Sequence, residues 1–459
     1  MAALMYTRRI SALLALPLMA IAIAIVGQIP PDKVLTEVLA KGSTKLANAY
    51  TTTIFGAILA ELINKLGIAK ALIRWVAEFA GDEPFLLGIS LTLVTALLFS
   101  SLGGLGAVIM VGTVVLPVML SLGISAITAG SLFLFGISLG GMFNLANWQL
   151  YISVLNIKQA EIAAYVLPFG GIIGFIILIF LALELRSRKT IPYIGVSALA
   201  LAGLGWWWHL QSATEPAEAP AASGLEQYQS ESIVAVGIVM AVLALIAIYR
   251  HKNNIKTLPG LAFATPALPL LLVLLFKWEI IPAFLAGIAF GVLIAWQRDS
   301  VNLLTRSIIE GTQTVAPAVV LMLGIGMLLT AVMDPTVSGA IGPMLTQIVP
   351  TQSIPYIATF TILAPLALYR GPLSLWGMGS GIVALIKEST QLGAQAVMGM
   401  LMSVGQLQGI CDPTNTQNVW IATYLGTDTQ TLLRKTIPYA WLAVFCGLCL
   451  AVSFGYVRW

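Results

Sequence analysis

Apolar residues run through this chain in blocks long enough to cross a bilayer, which takes about 20 residues of helix. Full crossings are predicted near residues 10–27, 48–67, 125–155, 161–184, 191–209, 232–249, 260–276, 280–297, 312–333, 395–425 and 436–456. Two further apolar segments, 84–121 and 354–390, have centres rich in Gly, Ser and Pro and read as helical hairpins. Between Pro84 and Ile157 there is no Asp, Glu, Lys, Arg or His, a stretch that no soluble core needs. The fold class expected is an all-α polytopic membrane protein with about eleven crossings and two hairpins.

Composition agrees. Hydrophobic residues make up 59% of the 459 positions and charged residues 9%, where soluble domains carry roughly 25% charged. The net charge of +4 reports no nucleic-acid partner, because the basic residues are scattered between apolar runs. Their placement bears on orientation instead. With the N-terminus cytoplasmic, 15 of the 23 Lys and Arg residues fall inside, among them Lys65, Lys70, Arg74, Arg250, Lys252, Arg434 and Lys435, as the positive-inside bias requires. The linker 211–230, rich in Ala, Pro, Glu and Ser and free of Lys and Arg, then lies outside, just after Trp206, Trp207 and Trp208. No small-x-small cleavage site follows the first apolar run, so that run reads as an uncleaved helix. Cys446 and Cys449 form a C-x-x-C inside an apolar helix with no second ligand pair, and neither a metal nor a disulfide framework is expected there.

The chain also matches itself at a separation of 270 positions. Phe55–Leu59 faces Ile325–Leu329, Leu98–Ser101 faces Leu368–Gly371, Gly123 faces Gly393, Leu155 faces Leu425 and Pro168 faces Pro438. Under the orientation above, 48–67 starts outside and 312–333 starts inside, so the two repeats are inverted, a hallmark of secondary transporters. The expected organisation is an N-terminal helix and outer loop in 1–47 and a first repeat in 48–184, with hairpin 84–121 and broken helix 125–155. Connecting helices fill 185–311, and a second repeat in 312–459 has hairpin 354–390 and broken helix 395–425.

Candidate chemistry lies where the apolar runs are interrupted. Ser100, Ser101, Gly103 and Gly104 correspond to Arg370, Gly371 and Ser374; Asn144 and Asn147 correspond to Asp412, Thr414, Asn415 and Thr416. Backbone groups freed at such breaks need partners from protein, ion or substrate. Half-helix N-termini suit anions, and unwound carbonyls suit cations. Arg370, a planar guanidinium in an apolar run, matches a carboxylate; pairing with a structural carboxylate such as Asp412 is the alternative. Asp412 among Thr414, Asn415 and Thr416 suits a coupling cation, possible Na⁺ or a proton, or else caps the half-helix that follows. Gln406 and Gln408 precede it on the same helix.

These features resemble the ion transporter superfamily, nearest to its gluconate-permease and citrate-symporter groups. The resemblance covers roughly 48–184 and 312–456 and rests on Ser100–Gly104, Arg370–Ser374 and Asp412–Asn415. It implies symport of a small organic anion with H⁺ or Na⁺, often in a homodimer moving substrate by an elevator-like mechanism. The setting expected is the cell inner membrane, in contact with membrane lipid, with no further cofactor. A Na⁺/H⁺ antiporter of the same architecture is the alternative. With no clustered acids and no His at membrane depth, an enzyme is not expected.

Overall fold

Hydrocarbon offers no water to a free N–H or C=O, and a helix satisfies both within one segment. The computed structural model describes residues 10–185, 195 and 222–458, apart from 11, 254, 256, 372, 377, 378 and 391. Among these the only extended pairing is one isolated bridge, Gln352 with Arg458. The protein is an all-α polytopic membrane protein.

The helices are α1 (Ala12–Val26), α2 (Pro31–Lys65), α3 (Ile68–Ala80), α4 (Pro84–Phe99), α5 (Gly104–Ser121), α6 (Ala126–Met142), α7 (Leu145–Leu155), α8 (Gln159–Glu184) and α9 (Ala222–Lys252). They continue with α10 (Leu268–Phe276), α11 (Ile280–Ile294), α12 (Ser300–Val332), α13 (Pro335–Ile348), α14 (Ser353–Leu363), α15 (Gly379–Ser389), α16 (Ala394–Cys411), α17 (Thr416–Tyr424) and α18 (Thr429–Ser453). Among the described residues, six helices are long and apolar enough to cross a membrane. The pair α6–α7, bent by 51° at its break, makes a seventh.

Several expected crossings change. α2 begins at Pro31 rather than near 48, through a π-helical stretch at Val34–Lys41. α12 begins at Ser300 rather than 312. The segment 260–276 is not one crossing: a 3₁₀ turn at Gly260–Ala264 is followed by α10 of 9 residues, about 14 Å long. Pro266 and Pro269 explain the interruption, since each lacks the N–H that a continuous helix would use. α3 and α13 had no counterpart among the expected elements. The predicted crossing 191–209 apart from residue 195, the Trp206–Trp208 belt and most of the linker 211–230 lie outside the described residues.

The 270-residue offset recurs in the elements. Shifted by 270, α6 covers 396–412, against Ala394–Cys411 for α16; α7 covers 415–425, against Thr416–Tyr424 for α17; α8 covers 429–454, against Thr429–Ser453 for α18. α3 likewise falls at 338–350, against Pro335–Ile348 for α13.

The chain divides into two packed units. One comprises residues 52–145 and 177–315. Here α4 and α6 approach closely because Gly136 and Gly140 carry no side chain. A Cβ at Gly136 would lie 2.8 Å from that of Thr95, and one at Gly140 would strike the carbonyl oxygen of Ala96. Ser125 caps α6 by accepting from Thr128 N at 3.2 Å. Gly311 lets α12 lie against α2, where a Cβ would stand 2.8 Å from the Ala57 carbonyl oxygen. Beside that crossing Lys65 Nζ meets Glu310 at 2.6 Å and Glu61 at 3.5 Å.

The other unit comprises residues 1–51, 146–176 and 316–459. Its centre is the packing of α16 on α18 around Tyr165 of α8. The Tyr165 hydroxyl lies 2.8 Å from Ser403 Oγ, 3.0 Å from the Gly447 carbonyl oxygen and 3.3 Å from that of Gly399. Tyr165 and Ser403 are both 0% exposed, so these bonds satisfy polar groups that nothing else reaches. Outside the apolar spans, Asp428 caps α18 by accepting from Gln430 N and Thr431 N. The Thr431 hydroxyl and amide, with Gln430 N, hold its carboxyl below the ordinary aspartate value.

Candidate functional site

In the first unit the hairpin turns between α4 and α5. Ser100 Oγ donates to the Leu97 carbonyl at 2.7 Å, one turn back, and Ser101 Oγ donates to the Pro266 carbonyl. Both serines are 3% exposed. Their hydroxyl hydrogens are therefore committed to main chain, and what they offer a ligand is lone pairs. Asn144, in the break between α6 and α7, donates its side-chain amide to the carbonyls of Phe99 and Leu102, each at 3.1 Å. The structure thus brings Ser100, Ser101 and Asn144 together, with Asn144 as the clamp that closes the end of α4. Gly103 and Gly104 lie beside them, exposed, and α5 begins after Gly103 without a side-chain cap.

In the second unit α14 runs into a 3₁₀ turn, Ala364–Arg370, with Tyr369 in the left-handed region at φ 58°. Gly371 follows, buried, and a Cβ there would collide with the Leu366 carbonyl oxygen. The main chain doubles back so tightly that only glycine fits. Ser374, 1% exposed, donates to Gln408 Oε1 at 3.0 Å. The side chain of Arg370 lies outside the described residues.

α16 stops at Cys411 and α17 starts at Thr416. Asp412, between them, is 0% exposed, and its Oδ1 accepts from Thr414 N at 2.9 Å and Thr414 Oγ1 at 2.6 Å. Its carboxylate therefore shapes the turn and is not the N-cap of α17. The last carbonyls of α16 are taken in order by three amide side chains. Asn415 Nδ2 bonds Gln408 O at 2.9 Å, Gln417 Nε2 bonds Gly409 O at 3.0 Å, and Asn418 Nδ2 bonds Ile410 O at 2.8 Å. Since Asn415 faces backward, α17 begins with no side-chain cap.

The structure thus joins Ser374, Gln408, Asp412, Thr414 and Asn415 through direct bonds and chain continuity. Thr416 stands apart, exposed on α17, and Asn147 is a half-buried residue of α7. The carbonyls of 408–410, in the last turn of α16, each accept one of these amide donors. The residue missing from the candidate set was Asn418. It is 2% exposed, and its Oδ1 is a buried acceptor without a hydrogen-bond partner. Its i, i+3 spacing from Asn415 was the available signal.

No protein-family model matches the chain, and no curated protein matches its sequence. Solved structures do match its fold. The YdaH transporter of Alcanivorax borkumensis, described as having an unusual topology, superposes with a TM-score of 0.57 at 14% identity, over 97% of this chain and 99% of that one. MtrF of Neisseria gonorrhoeae, described as illuminating a class of antimetabolite efflux pumps, gives a TM-score of 0.55 at 15% identity, over 96% and 94% of the two chains. The chain has the fold of membrane transporters. That likeness is one of fold, and it does not bear out the gluconate-permease and citrate-symporter groups that the sequence resembles.

Proposed function

We propose that this chain is a secondary active transporter that moves a small organic anion together with H⁺ or Na⁺. The observation that carries the reading is the break at 412–415: a fully buried carboxylate, Asp412, followed by a helix whose N-terminus no side chain caps. Uncapped amides and the helix dipole favour an anion. The start of α5 after Gly103 has the same character. Arg370 adjoins Gly371 at the other tip, and its guanidinium would accept a carboxylate in bidentate fashion. An Arg at membrane depth costs at least about 2.5–3.5 kcal/mol, which a bound anion offsets. Asp412 and Thr416 would hold the coupling cation, and the buried, unpartnered Oδ1 of Asn418 on α17 would offer a further acceptor. A gluconate-, citrate- or dicarboxylate-like substrate fits this chemistry. The protein would work as a homodimer in the inner membrane, its N-terminus cytoplasmic and its two repeats inverted.

A second direction of transport is favoured by the fold shared with MtrF, which is described as belonging to efflux pumps: export of an anion against an inward cation. Cation exchange without an anion is the antiporter version. Uptake by proteoliposomes of a panel of labelled organic acids, with pH and Na⁺ gradients imposed separately, separates the three. Accumulation driven by an inward cation gradient is the expected result. Movement only opposite to the cation gives export. Exchange of Na⁺ for H⁺ with no acid moving refutes the anion site.

A further inference from the structure

α3 has two faces. Ile68, Ala69, Leu72, Ile73 and Ala80 are buried, against α4, α5 and the 3₁₀ turn Gly260–Ala264. The opposite face presents Lys70, Arg74, Trp75, Glu78 and Phe79. Trp75 is 54% exposed and Phe79 85% exposed, and their rings stack at 6.1 Å. Phe263 extends the patch, 6.0 Å from Trp75, and Leu261 near it is 61% exposed.

At 13 residues, about 20 Å, this helix is too short to cross a hydrocarbon core of about 30 Å. It also cannot leave the membrane. Two residues separate it from the end of α2, and three from the start of α4. A helix so tethered lies along the bilayer surface, where exposed Trp and Phe enter the boundary between headgroups and acyl chains. We infer that α3 is an interfacial helix that binds an anionic phospholipid, with the headgroup phosphate between Lys70 and Arg74 and the acyl boundary against Trp75 and Phe79.

Charge placement selects this occupant. Lys70 and Arg74 stand one helical turn apart on the exposed face, and the acidic Glu78, Asp82 and Glu83 gather at the other end. The phosphate position is thereby confined to the N-terminal half, where the helix dipole also favours an anion. The counterpart 270 residues on makes the contrast. α13 carries no Lys, Arg or His, and its N-terminus is already capped by Asp334. One of two corresponding helices bears the cations, as anionic lipid on one leaflet requires.

The full chain in nanodiscs tests this without any transported substrate. The discs are neutral phosphatidylcholine containing an equal fraction of either brominated phosphatidylglycerol or brominated phosphatidylcholine. Quenching at Trp75 is read as the signal lost in Trp75→Phe. Brominated phosphatidylglycerol should quench it about twofold more strongly, as a local excess of anionic lipid implies. Lys70→Gln with Arg74→Gln should make the two lipids equal. These residues are exposed, and helical circular dichroism confirms the fold of each variant. Equal quenching in the parent chain, or an excess that survives the double substitution, overturns the proposal. Trp75 shielded from both lipids overturns it too, because the face is then covered by protein.

Discussion

Asn415 donates its side-chain amide to the main-chain carbonyl of Gln408, 2.9 Å away. Asparagine usually caps the start of a helix; here it closes the end of the one before. Gln417 and Asn418 treat the next two carbonyls alike. A helix can therefore stop within an apolar run while its final carbonyls stay bonded, and the following helix keeps its first amides available.

Loss of one of these amides should be felt as loss of stability. Asn418→Ala leaves the Ile410 carbonyl buried and unpaired, at a cost of about 1–3 kcal/mol. Asn418→Asp should cost more, because a carboxylate cannot donate and would face that carbonyl. Thermal unfolding in detergent, followed by tryptophan fluorescence, should rank parent above Ala above Asp. An unchanged midpoint in Asn418→Ala would show that the amide closes nothing.

The α4–α6 contact depends on an absent side chain. Gly140→Ala places a methyl on the Ala96 carbonyl oxygen; such overpacking costs about 1–3 kcal/mol. It should also disturb Asn144, one turn on. Gly171→Ala on α8 meets nothing within 4 Å and should be neutral. The two melting temperatures, measured side by side, check this.

Lys65 lies between two carboxylates, and the pair is asymmetric to mutation. Glu310→Gln leaves Lys65 with Glu61 and should cost under about 1 kcal/mol, as partly exposed ion pairs do. Lys65→Met leaves Glu61 and Glu310 repelling each other and should cost more. Lys65→Met combined with Glu310→Gln should recover part of the loss. Equal effects of the two single changes would contradict a shared lysine.

Arg370 and Asp412 have separable roles under the proposed function. Arg370→Lys keeps charge and loses the fork, so anion binding weakens; Arg370→Gln nearly abolishes it; Asp412→Asn uncouples transport from the cation gradient. A structural ion pair behaves differently: each single change strands a buried charge and destabilises by about 3–5 kcal/mol, and the double neutral variant recovers. Uptake and thermal stability of both singles and the double distinguish these. Normal uptake by the double variant would end the functional assignment.

Inverted repeats place corresponding loops on opposite sides of the membrane. Lys158→Cys lies between α7 and α8, and Thr427→Cys lies in the matching loop between α17 and α18. In intact cells a membrane-impermeant maleimide should label Lys158→Cys, and Thr427→Cys only after permeabilisation. Labelling of both from one side would make the repeats parallel.

Much of the architecture was legible in the sequence because lipid imposes a simple rule. A run such as Gln159–Glu184 must be a helix wherever it sits, and its ends were read within two residues. The breaks at 143–144 and 412–415 were legible for the same reason, since Asn144 and the polar cluster from Asp412 to Asn418 interrupt apolar runs. α3 and α13 escaped because span-reading looks for continuous apolar stretches. Their signal is periodic: Ile68, Ala69, Leu72 and Ile73 on one face, Lys70 and Arg74 on the other.

The linear order of residues by itself determined the all-helical membrane class, the 270-residue repeat and the positions of the interruptions, since each follows from hydropathy and self-comparison. Only the tertiary structure decided which polar groups are spent. Ser100, Ser101 and Asn144 look like ligands in the sequence, yet their hydrogens are bonded to main-chain carbonyls; Asn418 looks like one amide among several, yet it keeps a buried acceptor unpaired. Hydrogen bonding is directional and short, so a partner 42 to 165 residues away commits a side chain that composition leaves free.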